Sequence, residues 1–177
     1  MGLDMYLSYR RNLDGIPETI QRAMRKQAYT DRYPHLAEHF NKTGELDGII
    51  DYRTEKGDPY EEELMYWRKA NAIHKFFVDN AANGVDDCQP VQVTIDVLKD
   101  LVDRCETILQ DEVGDQGVLI DTKTAMELLP SQSGFFFGST DYDDWYIGNL
   151  KETVKALKPI VEHAELYTDP FIYEASW

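Results

Sequence analysis

The chain has 177 residues, 42% of them hydrophobic, which is enough for a domain with a genuine core and excludes a disordered composition. Its formal charge of −15 is uneven: residues 1–60 hold 9 Lys/Arg against 10 Asp/Glu, whereas residues 61–177 hold 9 against 23. That acidity argues against direct nucleic-acid binding, and no apolar run approaches the roughly 18 residues that a membrane span needs.

The predicted elements begin with a strand over residues 3–9, where apolar and polar residues alternate. Asp14-Gly15 is a turn, and Pro17 suits the first turn of a helix reaching about Tyr29, with Arg22, Arg25 and Lys26 as the main basic patch. A short helix is expected over residues 34–41. Residues 42–60, punctuated by glycine and proline, predict a loop with at most one small strand, at the apolar run Gly48-Ile49-Ile50. From Glu61 to about Asn80 the chain predicts its strongest helix: acidic residues fill the first turn, and Leu64, Trp67, Ile73, Phe76 and Phe77 recur at helical spacing.

Val91-Gln92-Val93 predicts a short strand, and Thr94 a cap for a helix to about Gln110 whose apolar face includes Leu98, Leu101, Val102, Cys105 and Ile108. Thr122 caps a shorter helix that stops at Pro130. Phe135-Phe136-Phe137, between two glycines, predicts a buried strand. It leads into a helix from about Tyr142 to His163, with Ser139, Thr140 or Asp141 as its N-cap. Residues 171–176 form a terminal strand of period two. Strands at both ends with helices between them predict an α+β fold: a single domain over 1–177, with a small antiparallel sheet containing the N- and C-terminal strands and packed with several helices.

Several groups of residues carry candidate chemistry. On the expected helix, Trp67, Asn71 and His74 share one face and Arg68 lies beside it. Such a wall stacks a flat ligand, hydrogen-bonds it and holds a phosphate or carboxylate. Ser139, Thr140 and Asp141 offer a cap loop that receives an anion, and Asp141 is a candidate to orient His74. The competing reading is a plain amphipathic helix with core polar groups and a plain cap. Tyr142, Asp143, Asp144 and Trp145 form an acidic aromatic run of the kind found at protein interfaces.

His35-Leu36-Ala37-Glu38-His39 has the spacing of an inverted zinc-protease motif, but nothing else in the chain resembles that class, so a solvated helix end is expected and no metal site. Cys88 follows Asp86-Asp87, which discourages a thiolate, and no phosphate-binding glycine loop is present. No catalytic residue and no cofactor is expected.

Four stretches together resemble a family of small uncharacterised proteins of bacteriophages and prophages. They are Met1-Gly2-Leu3-Asp4-Met5-Tyr6-Leu7, the run from Tyr66-Trp67-Arg68-Lys69-Ala70-Asn71 to Val78-Asp79-Asn80, the run from Gln132-Ser133-Gly134 to Trp145-Tyr146, and the ending Tyr173-Glu174-Ala175-Ser176-Trp177. The resemblance covers residues 1–9 and 64–177 and leaves 10–60 as a variable, insert-like region. It implies a mobile-element setting, in which small acidic proteins often counteract host defences. The chain has no basic-then-apolar leader, and its two cysteines are expected as free thiols, so the bacterial host's cytoplasm is the expected location. The expectation is a protein that binds rather than catalyses. Its partner would be a host or phage protein with a basic surface, such as a host-defence or nucleic-acid-handling protein, which it would inhibit through its acidic aromatic face; the competing reading of the charge is a plain solubilising surface. A pocket that sequesters or turns over a nucleotide-like small molecule is the alternative.

Overall fold

A computed structural model of the protein describes residues 2–10, 61–111 and 122–177. The chain divides into two compact units, one of residues 1–8 with 64–177 and the other Tyr9–Glu63. The expected helices at 17–29 and 34–41, the loop at 42–60 and the His35/Glu38/His39 motif lie outside the described residues.

Among the described residues the elements are β1 (Asp4–Arg10), β2 (Glu61–Arg68), α1 (Asn71–Asn80), β3 (Val91–Val93), α2 (Ile95–Asp111), α3 (Lys123–Leu128), α4 (Asp144–Glu162), a 3-10 turn (Ala164–Leu166) and β4 (Phe171–Ser176). The strands form one antiparallel sheet of order β2-β1-β4-β3, so the two terminal strands lie side by side as the α+β reading expects. Val91 faces Tyr173, and Val93 faces Phe171, across β3 and β4. Period two is visible in burial: Met5 and Leu7 of β1, Trp67 of β2, Val93 of β3, and Phe171, Tyr173 and Ala175 of β4 point into the core.

Helices cover that face. Phe77 of α1 stacks on Tyr173 with ring centroids 4.2 Å apart. α2 packs on α4 through Leu98, Leu101, Cys105 and Ile108, and Lys158 pairs with Glu106 at 2.6 Å across the seam. Arg104 joins three helices: it pairs with Asp100 of its own helix, donates to the Leu128 carbonyl of α3 at 2.9 Å and lies 5.2 Å from the Phe76 ring of α1.

Three local expectations are corrected. Glu61–Arg68 is a strand, and the helix begins only at Asn71. The residues decide this by alternation: Tyr66 and Arg68 are exposed, Trp67 between them is buried, and Tyr66 lies 5.2 Å from Tyr6 of β1. Lys69, with φ 55°, makes the break in a left-handed conformation, and its N–H donates to the Leu3 carbonyl at 2.7 Å.

The phenylalanine triplet is a turn rather than a buried strand. The Phe137 N–H donates back to the Gly134 carbonyl at 3.2 Å, and Leu3 N–H donates to Phe136 O at 3.1 Å. Only Phe137 is buried, whereas Phe135 is 94% exposed. Glycine at 134 is required there, since a Cβ would sit 2.5 Å from the Phe137 ring.

The N-cap of α4 is Asp143, not Ser139, Thr140 or Asp141; its Oδ1 accepts from the N–H groups of Trp145 at 3.0 Å and Tyr146 at 3.1 Å. Thr122 stands at the cap of α3, but its hydroxyl turns to the Met126 sulfur instead of the helix backbone.

Candidate functional site

The residues around the α1 N-terminus and the start of α4 form a shallow open cleft, lined in part by Lys69, Asn71, Ser139, Asp141, Asp143, Trp145 and Asn149. Its position follows from the two corrected boundaries. The abrupt turn at Lys69 brings the first residues of α1 against the loop that ends in the Asp143 cap. Ala70 at the N-cap gives no side-chain bond, and the first intrahelical bond runs from His74 N–H to Ala70 O at 3.0 Å. The first turn of α1 therefore has no capping side chain.

The part of the lining from the 139–141 loop and the start of α4 carries acid and indole. Asp143 uses Oδ1 for the cap. Asp141 accepts from the Ser139 hydroxyl at 2.9 Å, and its N–H donates to the same hydroxyl oxygen at 3.0 Å, so the 139–141 loop is held locally. Trp145 is 60% exposed at the rim, beside exposed Asp144. Tyr146 turns inward and donates its hydroxyl to the Leu129 carbonyl at 2.9 Å. Tyr142 is half-buried against it, with ring centroids 4.9 Å apart, and accepts from Ser131 N–H. The expected interface residues are thus divided: Asp144 and Trp145 face outward, Asp143 holds the helix, and Tyr142 packs.

The expected ligand wall is not one face. Trp67 lies on β2 and donates its indole N–H to the Thr153 hydroxyl at 2.8 Å, and that hydroxyl donates to the Asn149 carbonyl at 2.7 Å. Asn71 is 4% exposed and all of its amide is engaged: it donates to the carbonyls of Phe137 and Ser139 and accepts from Gln132 N–H. It organises the glycine-rich turn. Arg68 is exposed beside Gly2, and Thr140 is exposed, its carbonyl accepting from the Ser131 hydroxyl.

His74 is 1% exposed and sits apart from the 139–141 loop. A carboxylate only accepts, so Nε2–H donates to Asp86 at 3.1 Å, and Nδ1 is left to accept from the Tyr173 hydroxyl at 2.7 Å. Asp86, not Asp141, is the residue that orients it. Phe137 and Trp177 close edge-on over the ring, with centroids 5.1 and 5.5 Å away. Burial, followed by the nearby charges of Asp86 and Cys88, pushes the Tyr173 hydroxyl well above its ordinary value, which keeps its proton on oxygen.

Asp86, Thr153, Tyr173, Lys69 and Asn149 were not singled out from the sequence. Asp86 enters the sequence reading only as a neighbour that discourages a Cys88 thiolate, and its pairing with a histidine twelve positions earlier has no sequence spacing to announce it. Both cysteines are free thiols, and among the described residues no three His, Cys, Asp or Glu side chains are grouped to hold a metal ion. No helix of the described residues is long and apolar enough to cross a membrane. Comparison of the chain with protein-family models, with curated proteins and with solved structures gives no match.

Proposed function

We propose that this protein acts by binding: a phage or prophage accessory protein that docks, in the cytoplasm of the bacterial host, on a basic surface of a host or phage protein and inhibits it. The phage setting rests on the four sequence stretches quoted above. The docking reading rests on one observation, an indole 60% exposed at the start of α4, with Asp141 and Asp143 lining the same cleft and exposed Asp144 next to it in the chain. A Trp of that exposure among acidic residues suits an arginine- or lysine-bearing surface, which stacks on the indole and pairs with the acids. The charge of −15 adds steering toward a basic partner.

A nucleotide-like ligand held by Trp67, Asn71 and His74 is the weaker reading, because all three already have hydrogen-bond partners inside the protein.

The test is capture of a partner from host lysate by the wild type, by Asp144→Lys and by Trp145→Ala. Capture should fall at least about tenfold in each variant and weaken with salt, while circular dichroism stays native. Undiminished capture by both folded variants removes this face from the account.

A further inference from the structure

We propose that Phe135 is the apolar anchor of the docking face, and that the partner carries, beside its basic surface, an apolar pocket that receives this ring. The proposal rests on the docking reading above and names a further feature of that partner. Phe135 is 94% exposed, more than any other large hydrophobic residue among those described. The fold does not ask for a ring at this position. Phe135 and Phe136 are the two corners of the Gly134–Phe137 turn, and neither has a positive φ, so most side chains fit there. The ring contact of Phe135 among the described residues is with Phe136, at 4.7 Å between centroids.

The backbone that carries the ring is fixed on all sides. Phe137 N–H closes the turn on Gly134 O, and Leu3 N–H donates to Phe136 O at 3.1 Å. The buried amide of Asn71 donates to Phe137 O at 3.1 Å and to Ser139 O at 2.7 Å, and accepts from Gln132 N–H at 3.0 Å. The Phe137 ring is buried edge-on against His74 and Trp177. An exposed aromatic ring on a backbone held in this way has little freedom left to lose on binding, which is what an anchor residue requires.

Three occupants can cover such a ring: a second copy of the chain, a lipid surface or a pocket on another protein. Charge separates them. A second copy brings another −15, and an anionic bilayer meets 23 Asp/Glu against 9 Lys/Arg in residues 61–177. A basic protein is drawn by the same charge. Continuity places the ring on the docking face. The turn runs directly into the 139–141 loop, which lines the cleft together with Trp145, and one amide, that of Asn71, holds the turn and the loop.

The test uses the photo-crosslinker p-benzoylphenylalanine, placed in the full chain at 135, at 145 or, as a control, at exposed Lys155, nearly three turns further along α4, and irradiated inside bacterial cells. The probes at 135 and 145 should join the same protein, the 135 probe on apolar side chains, and the control should not join it. With that protein purified, Phe135→Ala should bind at least about tenfold more weakly at about 0.05 M and about 0.5 M salt alike, with native circular dichroism. Phe135→Leu should restore most of the loss, and the effect of Asp144→Lys should fade at the higher salt. The proposal is overturned if the 135 probe joins a second copy of this chain or lipid, or if Phe135→Ala binds unchanged. It is also overturned if the 145 probe joins a protein and the 135 probe does not, which leaves the docking reading standing. Silence from both probes removes the docking reading with it.

Discussion

At the scale of single residues, the two glycines at 134 and 148 make opposite predictions. A Cβ on Gly134 meets the Phe137 ring at 2.5 Å, and that ring is fixed edge-on against His74 and Trp177. Gly134→Ala should therefore cost about 1–3 kcal/mol, read as a lowered urea midpoint. A Cβ on Gly148 meets nothing within 4 Å, and the residue lies inside α4. Gly148→Ala should stabilise the protein by about 0.5–1 kcal/mol in the same titration. His74 makes a third case. His74→Ala removes the partner of both Tyr173 and Asp86 and should cost about 2–4 kcal/mol, whereas Tyr173→Phe removes one hydroxyl and should cost about 1 kcal/mol. Equal losses in the two variants would mean that the Asp86 contact contributes nothing. The identity of these residues as interesting was legible in the sequence, but their partners were not. His74 bonds a residue 99 positions away and Asn71 residues 61 to 68 away, and no periodicity reports such pairs.

At the scale of elements, the amphipathic pattern located the ordered segments better than it assigned their type. β1, β3, α2, α3, α4 and β4 fall where apolar spacing puts them. The stretch from Glu61 differs because Glu-rich sequence favours a helix start locally, while pairing with β1 supplies backbone bonds that a weak propensity does not outweigh. The Phe triplet failed because glycine on both sides marks a turn as readily as a strand boundary; the burial of Phe137 alone decides for the turn. The α4 cap lies two to four residues beyond the expected Ser139, Thr140 or Asp141, and this changes how the interface must be tested. Asp143→Ala should cost about 1–2 kcal/mol by losing the cap, and Asp144→Lys about 0.3–1 kcal/mol by opposing the helix dipole. Loss of partner capture in an Asp143 variant would thus mix helix fraying with charge, whereas Asp144→Lys reads charge alone. Denaturation midpoints of the two variants check the ordering.

At the scale of the whole molecule, two buried acids set the alkaline limit of stability. The Cys105 thiol lies in the α2–α4 core, where burial, with the neighbouring Glu106 adding to it, pushes it well above its ordinary 9.0. Tyr173, between the sheet and α1, is pushed well above its ordinary 10.0. Both raised groups keep their protons in the folded chain after the unfolded chain has lost them. Below pH 9 both are protonated in either state, so neither makes stability depend on pH. Above it the folded state binds more protons than the unfolded state, and stability falls as pH rises, by up to about 1.4 kcal/mol per pH unit for each group. Lys99 and Lys158, raised by their hydrogen bonds to Asp103 and Glu106, act in the same direction but lie at the surface, where screening leaves little. The urea midpoint should therefore turn downward near pH 9 and steepen beyond pH 10. Cys105→Ala should remove the first part of that decline and Tyr173→Phe the second; a decline between pH 9 and 10 that survives Cys105→Ala would assign it to another group. The same burial predicts the thiol chemistry of the native protein. Half-buried Cys88 should react with a thiol reagent in buffer, and Cys105 only after the α2–α4 core opens in denaturant, so a titration giving two fast thiols in buffer would show that this core does not exclude solvent.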